Sequence, residues 1–189
     1  MTDMATHVRT WHVSASGGGH ETAWIALGAD GLRAHGRAMG LTPGPYWVTY
    51  ALETGEDLAT RRLRVSVEDA DGARELDLRR DEVGRWTADG RELPGLAGAL
   101  DCDLGLCPLT NTMPVRRHGL HLGPGERTFL MAWVAVPALT VEPSRQTYTH
   151  LGRTPHGARV RYASGDFRAD VGFDEDGLVL DYPGLARAL

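Results

Sequence analysis

The sequence predicts a mainly β domain built on one antiparallel sheet that curls on itself, and three observations carry this. Four Asp-Gly pairs, Asp30-Gly31, Asp71-Gly72, Asp89-Gly90 and Asp176-Gly177, each sit between short runs of alternating apolar and polar residues. Asp-Gly accepts the positive φ angles of a tight hairpin, so each pair marks a strand reversal. Pro155-His156-Gly157 is a weaker fifth signal. The runs between these turns have a period of two. No long stretch carries the i, i+3, i+4, i+7 spacing of a surface helix.

Taken in order, Tyr46, Val48, Tyr50 and Leu52 form one stripe. Leu63, Val65 and Val67 face one way while Arg62, Arg64, Ser66 and Glu68 face the other. Leu76 and Leu78, then Val160 and Tyr162, then Phe167, Ala169 and Val171 continue the pattern. Such alternation marks half-buried strands whose other face is wet. Phe129 to Val136 is apolar on both faces and is expected to be a central, covered strand. Gly17-Gly18-Gly19 lacks the glycine spacing of a dinucleotide loop and reads as a flexible lead into the first hairpin. Helical candidates are short: Leu96 to Leu100, Thr112 to Arg117, and the tail Leu185 to Leu189. About ten strands and one or two helical turns are expected. So many antiparallel strands must curl or close to limit their edges. The result is a concave face and an expected internal pocket.

The 189 residues suit a single domain, 1–189, large enough to fold without a disulfide or a metal. The formal charge is -5, and every one of the 20 cationic residues is arginine. No Schiff-base lysine and no phosphate-loop lysine can therefore exist. The arginine pairs Arg61-Arg62, Arg79-Arg80 and Arg116-Arg117 are scattered through an acidic chain, which argues against a nucleic-acid partner. The first six residues carry an acid and no apolar h-region, so no secretory signal is expected and the location is read as cytoplasmic. The longest apolar run, Phe129 to Leu139, is too short to span a bilayer as a helix.

One stretch departs from strand alternation. From Asp101 to Arg117 the chain mixes apolar residues with Asp101, Asp103, Thr110, Asn111, Thr112, Arg116 and Arg117. Buried polar groups must be paired, so these side chains bond one another or a ligand. In an extended chain Asp101 and Asp103 project to one face about 7 Å apart. Arg116 and Arg117 supply forked donors that suit carboxylates or an anionic head group.

This stretch resembles the core of the bacterial putative glycolipid-binding proteins, a family formerly called a domain of unknown function. The likeness rests on Asp101-Cys102-Asp103-Leu104 followed by Cys107-Pro108-Leu109-Thr110-Asn111-Thr112-Met113-Pro114-Val115-Arg116-Arg117. Trp86-Thr87-Ala88-Asp89-Gly90, Gln146-x-Tyr148 and Asp174-x-Asp176-Gly177-Leu178-Val179-x-Asp181-Tyr182-Pro183 extend it along nearly the whole chain. Cys107 stands where the family has threonine, Leu109 where it has an aromatic, and His118 where it has an aliphatic residue. The resemblance implies an incomplete barrel or roll wrapped around one or two short helices, similar to lipoprotein-carrier folds. It also implies a lipid or glycolipid as ligand.

Three roles are open to Asp101, Asp103, Thr110, Asn111, Arg116 and Arg117. They can pin an irregular loop beneath the sheet, orient the polar part of an amphiphile, or serve as acid and base. The binding reading sets these six residues as ligand contacts, with no cofactor and no metal. The alternatives are a carboxylate-dependent hydrolase, or a structural domain that forms a homodimer through an exposed sheet edge. Cys102, Cys107, His118 and His121 fall near, but outside, usual zinc spacing. No nucleophile elbow and no His-Glu-x-x-His occur.

Overall fold

The alternation in the sequence becomes one continuous sheet in the computed structural model, which describes residues 5–189. The reading of the extreme N-terminus as free of a secretory signal rests partly on residues outside those described. Eight strands make the N-terminal half: β1 (Ala5–Val13), β2 (Gly19–Gly28), β3 (Gly31–Gly40), β4 (Tyr46–Thr54), β5 (Thr60–Asp69), β6 (Gly72–Arg80), β7 (Trp86–Ala88) and β8 (Arg91–Glu92). A short strand β9 (Asp101–Leu104) and the helix α1 (Thr112–Arg117), the single α-helix among the described residues, follow. The C-terminal half comprises β10 (Glu126–Val134), β11 (Val141–Thr154), β12 (Gly157–Ser164), β13 (Phe167–Phe173), β14 (Val179–Tyr182) and β15 (Ala186–Ala188). The spatial order runs from β8 through to β1, then β15 back down to β9, and the sheet does not close into a barrel. Every pairing is antiparallel except β9 with β10.

Each Asp-Gly pair lies between two strands as the turn chemistry predicts. Gly31, Gly72, Gly90 and Gly177 all take positive φ. Gly17 and Gly18 likewise have φ of 80° and 101° and form the β1–β2 turn itself, so the glycine run is that connection and not a lead into it.

The structure changes further expectations. The sheet has fifteen strands, because pieces of two to four residues such as β8, β9 and β15 are too short to show a period in sequence. The tail expected as helix is the strand β15, whose backbone fills the gap between β1 and β14 and so joins the two halves. The Leu96 to Leu100 candidate is only a 3-10 turn, Pro94–Leu96.

The apolar strand β10 is not central: it lies one place in from the β9 edge. It is apolar on both faces because it divides two cores. Leu130, Ala132 and Val134 pack with the N-terminal half, while Phe129 and Met131 pack with Tyr148, Tyr162, Val171 and Phe173.

Both free edges are blunted, which limits pairing with another chain. β8 offers only Arg91 and Glu92, both exposed. β9 is capped by Thr60, whose amide donates to the Leu100 carbonyl and whose hydroxyl accepts from the Cys102 amide at 3.0 Å.

Two glycines on β3 make room for tyrosines opposite them. Gly36 faces Tyr50 and Gly40 faces Tyr46 across the β3–β4 ladder. A Cβ at Gly36 would lie 2.4 Å from the Tyr50 ring, which is buried. Gly36→Ala is therefore expected to lower stability by about 1–3 kcal/mol through overpacking. Urea denaturation measures this; an unchanged midpoint would mean the ring can shift freely.

Candidate functional site

The concave side of the sheet is covered by the chain's own segment from Pro94 to Leu120. Gly105 ends β9 by donating its amide to the Val134 carbonyl at 2.8 Å, and Leu106 then turns the chain with a φ of 62°. A 3-10 turn, Pro108–Asn111, runs directly into α1, and every side chain from Pro108 to Val115 is buried. Proline at the start of the turn suits a position whose amide has no partner. The internal pocket expected from the curvature is filled by this segment. Between Val13, Tyr46, Tyr50, Leu104 and Cys107 about 10 Å³ remains, roughly the room of one water.

The two carboxylates of β9 have different fates. Asp101 is fully buried and receives both terminal nitrogens of Arg117, at 2.7 and 2.5 Å. Arg117 in turn donates its Nε to the Asp57 carbonyl at 2.7 Å, which ties the segment to the loop before β5. Among the described residues Asp103 pairs with no cation. Its Oδ1 accepts from the Thr110 hydroxyl at 2.9 Å and its Oδ2 from the Gln146 amide at 2.6 Å. Burial pushes the Asp103 carboxyl above its ordinary value, and the two neutral donors only partly offset this. The residue keeps part of its surface open to solvent.

Around Asp103 the inner faces of the C-terminal strands supply rings and small hydroxyls. Tyr148 donates its hydroxyl toward the Asn111 side-chain oxygen at 2.8 Å, with the Gln146 oxygen at 3.1 Å. Asn111 is held by donating to the Pro108 carbonyl at 3.2 Å. Tyr148, Tyr162 and Tyr182 pack edge to face or tilted, with centroids 5.4 and 5.8 Å apart, and Phe167 closes the row at 5.9 Å from Tyr162. Burial, then the nearby Asp103 charge, pushes the Tyr162 hydroxyl up to about 12. Ser144 and Ser164 face each other at 3.4 Å beside Gln146.

Arg116 leaves this group. It reaches outward to the Asp176 carbonyl at 2.7 Å, at the β13–β14 turn. Five of the six predicted site residues thus meet beneath the sheet, while Arg116 fastens the far end of the segment. Gln146 and Tyr148 complete the cluster, and their spacing of two on a strand already placed them on one face. Cys102 and Cys107 contact Thr60 and Glu21 respectively, and no cluster among the described residues brings three metal-ligating side chains together.

Glu21 was not singled out from sequence. Its stripe Glu21, Ala23, Ile25 and Leu27 put it on the buried face of β2, and a carboxylate there is the signal. It is fully buried, and its Oε1 accepts from the Tyr50 hydroxyl at 2.6 Å and the Cys107 thiol at 3.0 Å. Its Oε2 has no partner. Burial pushes its pKa up to about 7.

These features can be set beside known proteins. A family model described as "Putative glycolipid-binding" matches residues 8–188. The chain belongs to this family. The crystal structure of a DUF1089 family protein from Pseudomonas aeruginosa is similar across 89% of this chain and 92% of that one, with 34% identity and a TM-score of 0.75. No curated protein matches the chain. Among the described residues no helix is long and apolar enough to cross a membrane.

Two predictions follow from the buried charges of this family member. Arg117→Met leaves Asp101 unpaired in the interior and is expected to cost about 3–5 kcal/mol. Adding Asp101→Asn should recover much of that loss in denaturant titrations, and no recovery would mean the pair is not coupled. For Glu21 the folded-state pKa lies above the unfolded one, so its neutral form favours folding. That contribution is complete below about pH 4.5 and is lost as pH rises toward about 7. Stability of the wild type should fall by roughly 3 kcal/mol across that window, at about 1.36 kcal/mol per unit. The Glu21→Gln variant should lack this component, and identical pH profiles for the two would refute the assignment.

Proposed function

We propose that this chain binds the hydroxylated head group of an amphiphile, a glycolipid in the sense of its family description, at the Asp103 wall of the concave C-terminal half. The observation that carries the reading is the contrast between the two carboxylates. Asp101 is closed by Arg117, whereas Asp103 is held only by neutral donors and the residue as a whole is less completely buried than Asp101. A carboxylate without a counter-ion is a strong acceptor for sugar hydroxyls. Thr110 and Gln146 fix its direction, and Ser144, Ser164 and the tyrosine hydroxyls add donors and acceptors beside it. The rings of Tyr162, Tyr182 and Phe167 supply an apolar face, and Phe167 is 48% exposed at the rim.

The hydrocarbon part lies along that rim in this reading, since the 10 Å³ left beneath Tyr46 and Tyr50 cannot take an acyl chain. Asp101, Asn111 and Arg117 act by holding the segment, and Arg116 by anchoring it to the β13–β14 turn. Hydrolysis of a glycoside is less well supported, because it needs a second working carboxylate and Asp101 is committed to Arg117.

The test uses dodecyl maltoside below its micelle concentration and a monoglucosyl diacylglycerol in mixed micelles. Native mass spectrometry and calorimetry read the binding. Wild type should bind at one of the two probes, and Asp103→Asn should weaken it at least tenfold while melting normally. No binding of either probe by folded wild type, or equal binding by the variant, would overturn the proposal. Appearance of cleaved sugar only with wild type would favour an enzyme instead.

A further inference from the structure

The outer face of the N-terminal half carries two exposed indoles, on the opposite side of the sheet from the core. Trp24 on β2 is 45% exposed and Trp47 on β4 is 67% exposed, both pointing away from the core. Indoles of this size are normally buried, so two on one open face need an explanation. They border two adjoining hollows of about 580 and 670 Å³, and both hollows are lined by Trp24.

The strand register orders this face into rows. Trp24 lies opposite His35 on β3 and stacks on it, with centroids 5.3 Å apart and planes 3° from parallel. Trp47 lies opposite Met39, four residues further along β3 than His35. The two indoles are therefore offset by about 14 Å along the strands and about 10 Å across them. The row between them reads Thr10, Thr22, Arg37, Thr49 and Ser66 across β1 to β5. Four hydroxyls and one guanidinium thus lie between two aromatic platforms.

Arg37 decides the charge of the occupant. Some arginines on this half have an acid, as Arg62 has Asp77, Arg74 has Asp69 and Arg85 has Asp81, whereas Arg33, Arg61, Arg64 and Arg91 enter no ion pair among the described residues. Arg37 enters none of the ion pairs among the described residues. A protein interface would bring an apolar centre with polar groups at its rim. Here the polar row is at the centre and the indoles are at the ends.

We propose that this outer trough binds an acidic oligosaccharide, with sugar rings on Trp24 and Trp47 and a sugar carboxylate on Arg37. The hydroxyl row bonds the ring hydroxyls, and Glu68, opposite Trp47 across the β4–β5 ladder, accepts from them at the far end. A long, uniformly charged polymer does not fit, because the chain itself carries a charge of -5 and Glu68 lines the same hollow. A short chain with isolated acidic sugars does.

The experiment is an array of immobilised oligosaccharides containing uronic acids beside neutral ones of equal length, followed by calorimetry on the retained sugars. At least one uronate sugar should bind tenfold or more tightly than its neutral counterpart. Arg37→Gln should abolish that preference, and Trp24→Ala and Trp47→Ala should each weaken binding at least tenfold. All three side chains are exposed, so the variants should melt like wild type. Asp103→Asn should leave this binding unchanged, which separates it from the head-group site. Retention of no uronate sugar, or binding insensitive to both tryptophans, would overturn the proposal. So would concentration-dependent dimerisation in light scattering that Trp47→Ala abolishes, since the face would then be an interface between copies.

Discussion

A curled sheet that does not close has a concave face that something must cover, and this constraint organises the rest of the molecule. The cover is the chain's own segment from Pro94 to Leu120. Apolar residues such as Leu104, Leu109, Met113 and Val115 fill the volume under the strands. An irregular segment cannot satisfy its backbone and polar groups by ladder pairing, so side chains must do it. The result is a set of long-range ties, each to a different part of the sheet: Cys107 to β2 through Glu21, Arg117 to the loop before β5, Asn111 to β11, and Arg116 to the β13–β14 turn.

The same ties explain why one carboxylate is closed and the other is not. Asp101 lies where the segment returns through α1, so Arg117 is delivered to it and the charge is neutralised. Asp103 lies two residues further along β9, where the neighbours are β10 and β11, and β11 contributes Gln146 and Tyr148 but no cation to it. Burial with only neutral donors leaves a carboxyl that holds its proton more readily and that accepts hydrogen bonds strongly. Glu21 shows the extreme of this condition on the opposite half. It has one lone oxygen in a closed interior and a pKa of about 7.

The two faces of the molecule are chemically distinct. Inside, hydroxyl-bearing rings lie beside buried carboxyl groups, Tyr50 at Glu21 and Tyr148 near Asp103. Outside, two exposed indoles flank a row of small hydroxyls and an arginine that enters no ion pair among the described residues. Strand alternation produces both, because each β-strand sends successive side chains to opposite sides. Trp24 is outward for the same reason that Glu21, three positions earlier, is inward.

Much of the fold was legible in the sequence. The Asp-Gly turns, the stripes through Tyr46 to Leu52 and Arg62 to Glu68, and the short helix at Thr112 all depend on local geometry, which neighbouring residues set. The motif from Asp101 to Arg117 also announced its own burial and polarity. What the sequence by itself could not decide was the non-local part. The tail became β15 because a gap between β1 and β14 was there to be filled, and β10 is apolar on both faces because two cores meet at it. Which of two nearly adjacent carboxylates receives an arginine depends on where α1 returns, and that is a property of packing. Local rules fix periods and turns; only the folded chain brings residues as distant as Glu21 and Cys107, or Asn111 and Tyr148, within bonding distance.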